Sequence, residues 1–124
     1  MKLVYLLVLL SQNGAGDINA SFVNTATLEQ CQQKALLVEG IFSSAKVPIL
    51  ESRCITSKLI FSEFEHATST QMPRHFYLIH FDTERVNIRK MPDWKSCLHG
   101  KQAGVTQGRI YCGSSIQKLN QSIE

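Results

Sequence analysis

The sequence predicts an α+β fold: two pseudo-repeated ββαβ units forming a mostly antiparallel sheet of about six strands, with two helices packed on it. Three observations lead there. Apolar runs of strand length are interleaved with two segments of helical periodicity. Each helical segment opens on a capping residue, Thr27 or Asp93, four positions before a cysteine, Cys31 or Cys97. Each is followed by an apolar strand that carries a second cysteine, Cys54 or Cys112.

In chain order, Leu3–Leu10 is uninterrupted and apolar and ends in Ser11-Gln12-Asn13-Gly14, which reads as a strand buried on both faces. Asp17–Val23 places Ile18, Ala20 and Phe22 at period two and reads as its antiparallel partner. Thr27-Leu28-Glu29-Gln30 has the spacing of a capping box, and Leu28, Cys31, Ala35, Val38 and Phe42 then recur every three or four residues. This predicts a helix over 28–43 that is stopped before Pro48. Ser52–Phe61 reads as one further strand, and 62–74 as a polar connector. The pattern then restarts: strands over 75–81 and 85–90, a short helix from Asp93 to about Gly104, and a last strand over 108–112. Residues 114–124 read as a polar, frayed tail.

Aligning Cys31 with Cys97 superposes Thr27 on Asp93, Leu28 on Trp94, Phe22 on Ile88 and Ala20 on Val86. Leu28 and Trp94 are accordingly expected to be equivalent core anchors. The organisation predicted is one domain, 1–124, with a first unit over 1–61 and a second over 75–113. Leu3–Leu10 follows Lys2 and has the length of a secretory signal core, but no clean small-x-small cleavage site follows it. Its counterpart at 76–81 argues for a retained strand.

At 124 residues with 44% hydrophobic side chains, there is material for one core. The net charge of +3 is too mild to imply nucleic acid, but it is uneven: −1 over residues 1–73 and +4 over 74–124. No apolar run reaches membrane-spanning length.

None of the four cysteines lies in a C-x-x-C pair, which argues against a zinc ribbon or a thioredoxin-like site. The repeat selects Cys31–Cys54 and Cys97–Cys112 as disulfides, each stapling a helix to the strand after it; buried thiols are the alternative. His75 and His80 lie five apart on one strand and face opposite sides; Cys97 and His99 diverge on a helix; His66 sits in the connector. No metal or cofactor is expected. G-x-S-x-G, phosphate-loop, H-E-x-x-H and dinucleotide-binding motifs do not occur, and Asn13-Gly14-Ala15-Gly16 opens no helix. Glu63 with Glu65, and Asp82 with Glu84, read as solvated carboxylates. Arg85, Arg89, Lys90 and Lys95 lie near Phe76 and Tyr77, but the aromatics belong to the most apolar strand, which disfavours base stacking. Asn19-Ala20-Ser21 and Asn120-Gln121-Ser122 match the glycosylation sequon by chance-level tripeptides.

These exclusions leave a non-enzymatic structural or protein-binding subunit, stabilised by disulfides and acting in an extracytoplasmic setting: secreted, periplasmic or in a virion. Its expected partners are other protein subunits, including copies of itself joined through sheet edges. The alternative is a secreted small-ligand binder or small enzyme with a site between the two units, drawing on Tyr77, His80 and Arg109.

Overall fold

Among the described residues, eight strands and two helices follow one another as β1 (Tyr5–Gln12), β2 (Ile18–Thr25), α1 (Leu28–Ser44), β3 (Ile49–Thr56), β4 (Leu59–Phe61), β5 (His75–Phe81), β6 (Val86–Met91), α2 (Trp94–Gln102), β7 (Arg109–Ser115) and β8 (Leu119–Ser122). They belong to a computed structural model that describes residues 4–14, 16–61, 74–82, 85–102, 108–115, 117 and 119–122. The connector at 62–73, with His66, Glu63 and Glu65, lies outside the described residues, as do Glu84 and the 103–107 segment where the second helix was expected to end.

Six strands form one mixed sheet in the order β3-β1-β2-β7-β5-β6. Within each half the third strand lies beside the first and the first beside the second. All four of those pairings are antiparallel. The halves meet where unlike strands, β2 and β7, run parallel, and their ladder is a single pair, Asn19 with Ser114. Side chains reinforce that seam. The Arg74 guanidinium donates to Asn19 Oδ1 and to the hydroxyl and carbonyl oxygens of Ser114. Further along, the Gln117 amide takes the place of a strand: its Oε1 accepts from Phe22 N–H (2.7 Å) and its Nε2 donates to Phe22 C=O (2.5 Å).

The sheet is curled. β3 and β7 are three strands apart in its order, which is roughly 14 Å in a flat sheet. Yet Tyr111 Oη on β7 donates to Glu51 Oε2 on β3 at 2.7 Å. From the same strand, Arg53 Nη1 donates to the Asp82 carbonyl at 2.6 Å, and its guanidinium lies 5.3 Å from the Phe81 ring centroid.

Curling gives the sheet two distinct apolar faces. Leu6, Val8, Leu10, Ala20, Phe22, Tyr77, Ile79 and Phe81 line the inner one, and Phe61 of β4 closes over them. Phe61 stacks on Phe22 (centroids 3.9 Å apart, 8° between planes), and both present edges or faces to Tyr77. On the outer face Leu7 and Leu9 pack with Cys31 and Val38 of α1. β1 is therefore covered on both sides, and Leu6 to Leu10 are each at most 1% exposed. That is why its sequence shows no alternation.

The predicted caps form. Thr27 Oγ1 accepts from Gln30 N–H, and Gln30 Oε1 accepts from Ala26 N–H. Asp93 Oδ1 accepts from Ser96 N–H at 2.7 Å, and this bond holds the Asp93 carboxyl below its ordinary pKa. Both disulfides join the expected residues, with Cα separations of 6.0 Å for Cys31–Cys54 and 5.8 Å for Cys97–Cys112.

Three expectations are corrected. Ser52–Phe61 is not one strand: Ser57 N–H bonds to Val4 C=O, Ser57 Oγ accepts from Leu59 N–H, and the chain turns off the sheet edge there. The residues after 113 are not all a frayed tail. β7 runs to Ser115, Gln117 is 1% exposed, and β8 pairs antiparallel with β4 in a second, two-stranded sheet. Leu28 and Trp94 are equivalent in position but are not core anchors, being 43% and 38% exposed. The first helical residue stays partly in solvent, and the fully buried position is one turn on, at Cys31 and Cys97.

Candidate functional site

The sequence-derived cleft residues do not converge. Tyr77 is fully buried on the inner face, where its hydroxyl donates to Gln117 C=O (2.8 Å) and accepts from Leu119 N–H (3.0 Å). Desolvation raises its pKa above the ordinary phenol value. His80, three residues on, points to the opposite side by strand alternation and packs against Gly108, where an added Cβ would lie 2.8 Å from its Nε2. Arg109 is far along β7 from Tyr77, which pairs with Gly113, and its side chain is 59% exposed and bound to Glu51.

Among the described residues, Glu51, Arg109 and Tyr111 form a polar cluster. Arg109 Nη2 donates to Glu51 Oε1 at 3.0 Å, while Arg109 Nε and Tyr111 Oη both donate to Oε2. The Arg109 bond, chiefly, holds the Glu51 carboxyl below its usual range; burial, then the bond to Glu51, lifts Tyr111. Three hydrogen bonds thus converge on one carboxylate, two on Oε2 and one on Oε1. The cluster straps β3 to β7 and keeps the sheet curled. Because Glu51 titrates lower folded than unfolded, its contribution is complete above the ordinary glutamate range and is lost as pH falls through the folded-state value. Thermal unfolding followed from neutral to acid pH should therefore show an acid limb that Glu51→Gln flattens. Parallel limbs in the two chains would show that the strap contributes nothing.

Among the described residues no group of three or more His, Cys, Asp or Glu is placed to hold a metal ion. No helix there is long and apolar enough to cross a membrane.

What the fold does leave open is the outward side of α1. Its buried stripe is Cys31 and Val38, with Ala35 and Phe42 partly covered. Besides Leu28 at its first position, this 17-residue helix leaves three large apolar residues on the side away from its buried stripe: Leu36 is 73% exposed, Leu37 59% and Ile41 40%. Gly40 lies among them, and a Cβ added there would meet nothing within 4 Å. A shallow cleft of about 500 Å³ adjoins this ridge, lined by Asn24, Thr25, Ala26, Gln30, Gln33, Lys34 and Leu37. Ridge and cleft are continuous through Leu37 and Gln33.

No family model, curated protein or solved structure matches the chain. Large exposed apolar side chains recognise other apolar surface, and three of them within two turns exceed the scattered exposure usual on a monomer. The signal was present in the sequence. Neither Leu36 nor Leu37 belongs to the Leu28, Cys31, Ala35, Val38, Phe42 series that marks the buried stripe.

Proposed function

We propose that this chain is a non-enzymatic, protein-binding subunit that self-associates through the outward face of α1. The observation that carries the reading is the exposure of Leu36, Leu37 and Ile41 around an unobstructed Gly40. The face is self-complementary. In an antiparallel pair of α1 helices whose two-fold axis passes between Val38 and Glu39, Leu37 of each copy lies over Gly40 of the other, and Leu36 lies opposite Ile41. Gln33 meets Ser44 at the ends, so no like charges face each other. Gln33, Leu37, Gly40 and Ser44 follow the alternating four- and three-residue spacing of a helix-pairing seam.

Helix pairing is favoured over the sheet edges first expected. The β3 edge carries the inward-pointing Glu51 and Arg53, and the β6 edge carries exposed Arg89 and Lys90, both devices that discourage strand addition. The two disulfides fit an oxidising, extracytoplasmic environment; secretion, periplasmic residence or release in a virion are the settings this reading proposes. It also takes the halves as copies of one ββαβ unit, supported by the shared strand order and the shared helix-to-third-strand cystine. A small-ligand site between the units is less well supported, because Gln117 and Arg74 occupy the seam.

Sedimentation velocity over a concentration series tests the proposal. The native chain should sediment as a dimer at high concentration, and Leu37→Lys should weaken association by about tenfold or more. The same substitution should change unfolding stability by less than about 0.5 kcal/mol, since the residue is exposed. A native chain that stays monomeric throughout would overturn the reading.

A further inference from the structure

We propose that α2 and the adjoining face of β6 form a second, independent surface that binds an anionic lipid bilayer. Trp94 and Leu98 are 38% and 39% exposed and lie one turn apart on the same side of α2. Lys95 and Lys101 are exposed on the arc of the helix that holds them, and Arg89 is exposed on the β6 face that carries Met91, beneath the helix. None of these three cations makes an ion pair with a described residue. The acid beside them, Asp93, is engaged as the helix cap. Three of the cations of the basic half, Arg89, Lys95 and Lys101, thus lie around a pair of exposed large apolar side chains.

Ordinary structural roles cover part of this. Lys101 and His99 complement the negative end of the helix dipole, and cations guard the β6 edge. They do not account for Trp94 and Leu98. The Phe76 ring lies against the Trp94 ring at a centroid distance of 5.8 Å, and Trp94 remains 38% exposed. Single-stranded nucleic acid or an acidic glycan would use the cations and stack on Trp94 but would leave Leu98 without a partner. A bilayer interface uses all of them: the indole and leucine enter the headgroup boundary, and lysine and arginine meet lipid phosphates.

Trp94 is the sole tryptophan of the chain, so it reports its own environment. The full oxidised chain should show a blue-shifted, iodide-protected fluorescence with vesicles of phosphatidylglycerol in phosphatidylcholine, and no shift with phosphatidylcholine alone. Lys95→Gln with Lys101→Gln should weaken vesicle binding about twenty-five-fold, at roughly fivefold per cation. Leu98→Ser should reduce it without altering the unbound spectrum. Measuring the same series in Leu37→Lys separates this surface from α1, and binding should persist there. Absence of a blue shift, equal shifts with neutral vesicles, or tighter binding to a single-stranded oligonucleotide than to vesicles at the same salt would each overturn the proposal.

Discussion

Removing both disulfides is expected to leave the chain without a stable fold at ambient temperature. Each bond closes a loop, over sequence separations of 23 and 15 residues, and the chain-entropy argument assigns about 3 kcal/mol to each. Two such losses, about 6 kcal/mol, are comparable with the whole stability of a domain this size, which is about 5–15 kcal/mol. Each bond is also the junction of two layers. Cys31 is fully buried between α1 and the β1–β3 pair, where Leu7 faces Cys54, and Cys97 is fully buried between α2 and β5–β7, where Leu78 faces Cys112. Urea unfolding of the single-bond variants, Cys31→Ala with Cys54→Ala and Cys97→Ala with Cys112→Ala, should each lower stability by about 3 kcal/mol. The fourfold alanine variant should lack a cooperative transition. A fourfold variant within about 1 kcal/mol of the native chain would show that packing alone holds the helices.

The second large effect is expected at Gln117. Replacing it with Leu keeps apolar bulk but strips Phe22 of both partners of its backbone N–H and C=O, in a site with no access to water. A buried polar group left unsatisfied costs about 1–3 kcal/mol, so two cost about 4 kcal/mol. The damage should spread along the seam, because Tyr77 Oη is tied to the Gln117 carbonyl and to Leu119 N–H, and through them to β8. Chemical denaturation measures the loss; amide exchange locates it, with faster exchange at Phe22 and in β4 and β8 than in β1. Gln117→Glu is the useful control: it keeps an acceptor for Phe22 N–H but no longer donates to Phe22 C=O, and it introduces a buried charge, so it should be at least as damaging as Leu. A Gln117→Leu chain as stable as the native one would mean that β2 and β7 close without the amide.

How much of this was legible in advance depends on the range of the interactions. Local patterns settled the elements. Thr27 with Gln30 and Asp93 with Ser96 cap helices through contacts three residues apart, so spacing alone reveals them. The unbroken apolar run of β1 required a strand covered on both faces, and the recurrence of a cysteine after each cap and in each following strand selected the two bonds. Residues whose role depends on the path of a distant segment were misread. Ser57 turns the chain because Val4 is there to accept its bond, and the polar-looking end of the chain is ordered because Gln117 finds Phe22, 95 positions away. Tyr77 and Arg109 looked like ligand-binding groups because their residue types permit it; curling of the sheet buried the first and paired the second with Glu51. The exposure of Leu36, Leu37, Trp94 and Leu98 was likewise decided in three dimensions. A helix has room for one buried stripe, and which apolar residues fall outside it depends on the sheet beneath and on where the cystine pins the helix to it.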